Sequence, residues 1–177
     1  MAGLCVWQMA LGGWVSTNYA VLACTDFPTC HGRWWPVMDF AEGFALWRPL
    51  GLNAGGLPLE MDALTAIHYT HRLMAYAVLA ALLAAAAYCW RLGEPMGEPS
   101  AERSAPRPNP AVDRTSSQRW ALFFLGVAAW QLATGVSNVV LGWPLLAAVS
   151  HTGGAAVLVA GLATLWMRGR QAGLRTI

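Results

Sequence analysis

The chain reads as long, nearly uninterrupted apolar blocks separated by polar, proline-rich or glycine-rich stretches. Four blocks, at roughly 3–23, 65–90, 120–141 and 145–167, reach the length of about 20 mainly apolar residues that a helix needs to cross a hydrocarbon core. None alternates apolar and polar positions with a period of two. Backbone groups inside lipid must be bonded within their own segment, so each block is predicted to be an α-helix. The predicted fold class is therefore an all-α membrane protein, a four-transmembrane-helix bundle made of two hairpins. Residues 1–91 form the first hairpin with a long outer loop at 24–64, residues 92–118 a flexible cytoplasmic linker, and residues 119–177 the second hairpin and a basic cytoplasmic tail.

Composition supports lipid as the solvent. Hydrophobic residues make up 56% of the chain and charged ones only 11%, too few charges to cover a soluble domain. The linker carries Pro95, Pro99, Pro106, Pro108 and Pro110 among Ser, Gly and charges of both signs, a mixture that buries no core. There is no lysine. Arg91, Arg103, Arg107, Arg114 and Arg119 lie in or beside the linker and Arg168, Arg170 and Arg175 in the tail, whereas the 24–64 loop holds only Arg33 and Arg48. The positive-inside rule places the linker and both termini in the cytoplasm of a multi-pass protein of the cell inner membrane, with the 24–64 loop outside. The net charge of +2 follows from this topology and gives no reason to expect nucleic acid as a partner. The first block is not read as a signal peptide: it has no basic start, it is long, and Gln8, Gly12, Gly13 and Asn18 look like helix-packing positions.

The two hairpins resemble each other. Trp7-Gln8-Met9-Ala10 in one outgoing helix matches Trp130-Gln131-Leu132-Ala133 in the other, each followed shortly by a glycine, Gly12 or Gly135. Each returning helix carries a histidine about six residues in from its outer end, His71 in one and His151 in the other. A repeat running in the same direction implies a pseudo-twofold axis along the membrane normal, which brings the two histidines face to face.

An ionisable side chain within a bilayer is costly and marks a functional candidate. Neutral imidazole is a common ligand of haem iron, and two of them on facing helices of a four-helix bundle fill both axial positions, so His71 and His151 are predicted to hold a haem b. Gly153, Gly154 and Ala155 after His151, and Ala75 and Val78 beyond His71, offer small neighbours for a flat macrocycle. The plainer reading has each histidine bonding across helices. His68 shares a face with His71 and competes for the ligand role, or contacts a propionate, or is structural. Arg72 pairs with a haem propionate or snorkels to the headgroups. Cys24 and Cys30 flank a short outer-loop segment, where a structural or redox-active disulfide leads over a metal site with His31; Cys5 and Cys89 are expected to be inert packing thiols. Gln8, Asn18, Gln131, Ser137 and Asn138 are read mainly as interhelical glue, with Asn138 also able to reach a cofactor edge. The aromatic residues Trp34, Trp35, Phe40, Phe44 and Trp47 suit an interfacial belt or a short amphipathic segment.

Leu-Gly-Gly-Trp-Val-Ser-Thr-Asn-Tyr-Ala at 11–20, Ala-Cys-Thr-Asp-Phe-Pro-Thr-Cys at 23–30, Trp-Trp-Pro at 34–36, Ala-Ile-His-Tyr-Thr-His-Arg-Leu at 66–73 and Val-Ser-His-Thr-Gly-Gly-Ala at 149–155 together make the chain resemble the C-terminal half of a haem A synthase. That family has two similar four-helix halves and oxidises a methyl group of haem O toward the formyl group of haem A for cytochrome oxidase assembly. The resemblance implies that His71 and His151 are the axial ligands of the second-half haem b and that Cys24 and Cys30 form an outer-loop disulfide. The family's substrate half has a glutamate one turn before its histidine; His68 stands there in this chain, which matches the cofactor half. A complete synthase is about twice this length, so the chain is either a truncated product or acts with a second four-helix half, a separate chain or another copy; the expected partners are membrane lipid, haem O and haem A, and that second half. Two other functions remain open: a stand-alone membrane cytochrome b passing electrons, and a cofactor-free scaffold.

Overall fold

The computed structural model describes residues 1–93 and 114–174; most of the expected linker, 94–113, and the final 175–177 lie outside the described residues. The described residues form five α-helices, α1 (Ala2–Thr17), α2 (Phe40–Gly43), α3 (Met61–Gly93), α4 (Arg114–Val140) and α5 (Leu145–Leu174), with one 3-10 turn at Ala20–Leu22 and no strand. Among them three helices are long and apolar enough to cross a membrane, over Met61–Leu92, Ser116–Val140 and Leu145–Arg170.

The first block departs from expectation. It was expected to stay helical through 23, but α1 ends at Thr17 after 16 residues, about 24 Å of helix against a hydrocarbon core of about 30 Å. The side chain of Asn18 is the physical reason. Its Nδ2 donates to the carbonyl of Trp14 at 2.9 Å, Tyr19 turns left-handed at φ 59°, and the 3-10 turn follows. At the other end of the bundle, α3 runs to Gly93 and α4 begins at Arg114, so both helices enter the stretch expected to be linker. A buried stripe of Ser117, Ala121, Phe124 and Ala128 carries the packed face of α4 back beyond its apolar block.

The four longer helices pack in a ring, α1 on α3, α3 on α4, α4 on α5 and α5 on α1, leaving α3 and α5 diagonal. All four contribute to one buried cluster of Cys5, Val78, Leu82, Ala86, Phe124, Val127, Ala128 and Leu158. The long loop is folded onto this bundle. Its α2 starts at Asp39, whose carboxylate accepts from the Glu42 amide at 3.0 Å, and it lies so close to α3 that a Cβ on Gly43 would stand 2.8 Å from the carbonyl oxygen of Ala63. Arg48 donates to Asn18 Oδ1 at 2.8 Å and to the carbonyls of Leu52 at 2.9 Å and Gly43 at 3.1 Å, and it lies over the Trp14 ring. Trp34, Trp35 and Trp47 stay exposed, as an interfacial belt requires.

Cys24 and Cys30 are joined in a buried disulfide against Tyr69. Between and after them, the Asp26 carboxylate accepts from the Thr29 hydroxyl and from the amides of His31 at 2.8 Å and Gly32 at 3.0 Å; the last two residues both have positive φ. The Thr29 hydrogen bond, helped by these amides, lowers the carboxyl pKa from 3.8 to about 2.

Two outcomes are expected. Asn18→Ala removes the acceptor shared by Arg48 and the Gly51 amide, so thermal unfolding in detergent should show a loss of roughly 1–3 kcal/mol, with faster proteolysis between 44 and 60. Because the folded pKa of Asp26 is depressed, its stabilisation is full above about pH 4 and fades as pH falls toward about 2. Unfolding measured against pH should therefore show a gap between wild type and Asp26→Ala that is constant from neutral pH to about pH 4 and closes by about pH 2.

Candidate functional site

The shared core cluster sets a depth for everything above it. Cys5, Val78, Ala128 and Leu158 come from α1, α3, α4 and α5 respectively. Seven residues from each, two turns or about 10 Å toward the outer loop, stand Gly12, His71, Gly135 and His151. Residues seven apart share a helix face, so these four positions form one layer that looks into the bundle. Around the ring the layer alternates glycine and histidine. A Cβ on Gly12 would stand 3.1 Å from His71 Cε1, and one on Gly135 would stand 3.3 Å from His151 Cε1. The two imidazoles sit on the diagonal helices α3 and α5.

The polar residues of the repeat gather at this layer. Gln8 Nε2 lies 3.3 Å from His71 Nε2, and Gln131 Nε2 donates to the His151 carbonyl at 3.1 Å. The expectation of interhelical glue holds for both, with the added fact that each sits at its own hairpin's histidine. Thr134, which sequence reasoning passed over, places Oγ1 3.0 Å from His151 Nδ1. The signal for it was its position three residues after Gln131, on the same face. The glycines expected to make room beside His151 stand in different surroundings. Gly154 makes room for α4, since a Cβ there would meet Trp130 Cδ1 at 2.7 Å and Gln131 Nε2 at 2.9 Å, and Gly153 is open. The glycines at the rings come instead from the outgoing helices.

Three buried polar atoms on α1, α3 and α4 have no partner among the described residues: Gln8 Oε1 and His71 Nδ1, on side chains in contact with each other, and Asn138 Oδ1, one turn beyond Gly135. Buried polar groups are rarely left so, each costing about 1–3 kcal/mol, and orphans at and beside an imidazole fit a further group bound there. The donor chemistry agrees, because two neutral nitrogens over Cβ-free helix faces suit the axial positions of a planar metal macrocycle such as haem.

The other two site residues belong to the loop side. His68 is buried, with Nδ1 donating to the Ala20 carbonyl at 2.9 Å, so it fastens α3 to the 3-10 turn. Arg72 is 6% exposed and spans the disulfide loop: Nη1 donates to the carbonyls of Asp26 at 3.0 Å and Thr29 at 2.6 Å, and Nη2 to that of Cys24 at 3.2 Å and to His68 Nε2 at 3.4 Å. This is where the structure places the arginine expected at a propionate or the headgroups. With Cys24 and Cys30 bonded to each other and His31 Nε2 3.1 Å from Thr65 Oγ1, the metal site considered for those three residues does not form.

The chain matches the COX15-CtaA family of cytochrome oxidase assembly proteins over residues 1–163. It is 35% identical to the heme A synthase of Shewanella oneidensis over 158 residues, 89% of this chain and 41% of that protein. It is 29% identical to the heme A synthase of Caulobacter sp. strain K31 over 172 residues, 96% of this chain and 40% of that protein. The chain thus spans about two fifths of the length of these relatives. No solved structure matches it. A match over residues 1–163, most of the chain, establishes that the chain belongs to the COX15-CtaA family of cytochrome oxidase assembly proteins.

Proposed function

We propose that this chain is the haem-b-holding half of a haem A synthase, with His71 and His151 as the two axial ligands. The observation that carries the reading is the single layer in which each histidine lies over a glycine of its neighbouring helix. Bound between the two imidazoles, haem b would supply one-electron transfer with little rearrangement and would have no open position for oxygen or substrate. The imidazoles approach from diagonal helices, Gly12 and Gly135 keep the ring edges clear, and the cluster around Phe124 and Leu82 excludes water from below. Arg72, next to His71, grips the disulfide loop through its carbonyls, and His68, bonded to Arg72 and to the Ala20 carbonyl, supports the outer side of the layer.

In this reading α1, continued by the turn at Ala20–Leu22, is the fourth crossing, and the two hairpins are α1 with α3 and α4 with α5. The arginine distribution supports a location in the cell inner membrane with linker and termini on the cytoplasmic side. Oxidation of the haem O methyl group to the formyl group of haem A belongs to the whole enzyme. In this reading the stretch acts beside a second four-helix half, whether in the same polypeptide, a separate chain or another copy, and the exposed Leu145, Leu146 and Val149 at the start of α5 offer apolar surface for lipid or that half.

The detergent-purified chain should show the oxidised and reduced absorption bands of a six-coordinate b-type haem, lost in His71→Ala and in His151→Ala; a wild-type chain without haem absorbance contradicts the reading. Gly12→Val and Gly135→Val should each lower haem content while leaving the helical circular-dichroism signal intact, because the added methyls occupy the space at the ring edges. Co-expression with a four-helix first half should yield haem A; haem-loaded protein that yields none points to an independent membrane cytochrome b.

A further inference from the structure

We infer that Thr134 is the positioning residue that holds His151 in its Nδ1–H tautomer, so that Nε2 is the nitrogen offered to a metal; the consequence for haem rests on the function proposed above. Thr134 Oγ1 lies 2.7 Å from the carbonyl of Trp130, one turn back on α4, and 3.4 Å from that of Gln131. A threonine in this helical position spends its single proton on that carbonyl. The oxygen then has only lone pairs to present to His151 Nδ1, 3.0 Å away, and the contact is a hydrogen bond only if Nδ1 carries the proton.

The neighbours of Thr134 keep the imidazole in reach. Trp130 Nε1 donates to the Ser150 carbonyl at 3.0 Å and Gln131 Nε2 to the His151 carbonyl at 3.1 Å, so two consecutive side chains of α4 hold the very turn of α5 that carries the histidine. Gly154 admits them, and Gly135, beside Thr134, lets the ring lie against the helix. The first hairpin lacks this device. In register with Gln8 and Gly12, the position equivalent to Thr134 is Leu11, which has no polar atom, and His71 Nδ1 is buried without a partner. The two histidines are thus unequal. His151, with its N–H held by an acceptor, is the more basic ligand and the one with a set tautomer, whereas the tautomer of His71 is left to Gln8.

The test labels the full-length chain with nitrogen-15 histidine in detergent micelles and reads the ring nitrogens of His151, assigned by loss in His151→Gln. Wild type and Thr134→Ser are expected to show protonated Nδ1, and Thr134→Val, of the same shape but without the hydroxyl, a mixed or Nε2-protonated ring. In the haem-loaded chain, Thr134→Val should raise the midpoint potential and weaken haem retention about tenfold, with Thr134→Ser close to wild type. A wild-type His151 protonated at Nε2 overturns the inference, as does a Thr134→Val chain with unchanged ring shifts and potential. If the valine variant fails to fold, the wild-type tautomer alone decides. A chain that binds no haem defeats the proposed function, yet the ring nitrogens still decide the role of Thr134.

Discussion

Two imidazoles can reach the axis of a four-helix bundle at one level only if the helices beside them give up their own side chains there. In this chain Gly12 and Gly135 do so, and each ring edge lies where a Cβ would otherwise crowd it. The rest of the structure serves that layer. A shared apolar cluster two turns below fixes its depth on all four helices, and the glutamines of the two outgoing helices tie each histidine's turn or ring to its neighbour. His71 Nδ1 and Asn138 Oδ1 are buried polar atoms without a partner among the described residues.

The hairpins repeat this plan and then diverge. The second is closed by a short turn at 141–144 and fastens its histidine through Trp130, Gln131 and Thr134. The first carries the long loop, and its returning helix is fastened from outside: His68 to the 3-10 turn, Arg72 to the carbonyls of the disulfide loop, Tyr69 to the Trp34 carbonyl. Little more than one turn of α3, from His68 to Arg72 around His71, thus acts as a frame between the loop and the bundle. Asn18 plays the matching part at the end of α1, where one buried amide ends the helix and receives Arg48 and Gly51.

Much of this was legible in the sequence because membrane helices declare themselves by length and apolarity, and because the repeat of Trp-Gln-x-Ala and of a lone histidine at equal depth sets the pairing of hairpins without coordinates. What stayed hidden depends on contacts distant along the chain. The early end of α1 follows from Asn18 being claimed by Arg48, thirty residues on, and the apolar run through Ala23 gives no sign of it. The grip of Arg72 on loop carbonyls depends on the loop's own fold. Gly153 and Gly154 drew notice by adjacency to His151; Gly154 lies against Trp130 and Gln131 of α4, Gly153 meets nothing, and the ring edges meet Gly12 and Gly135 of the neighbouring helices, contacts that only the packing of the helices sets. Thr134 looked like an ordinary helix threonine because half of its bonding is ordinary.

The account turns on both imidazoles reaching a single iron. Low-temperature electron paramagnetic resonance of the oxidised, haem-loaded chain tests this most directly, since it separates low-spin ferric haem, held by two strong-field imidazoles, from high-spin haem with only one. A low-spin signal accounting for all the bound haem, converted to high spin by loss of either histidine, is the predicted result. A wild-type chain whose haem is high spin, or stays low spin without His71 or without His151, would contradict it.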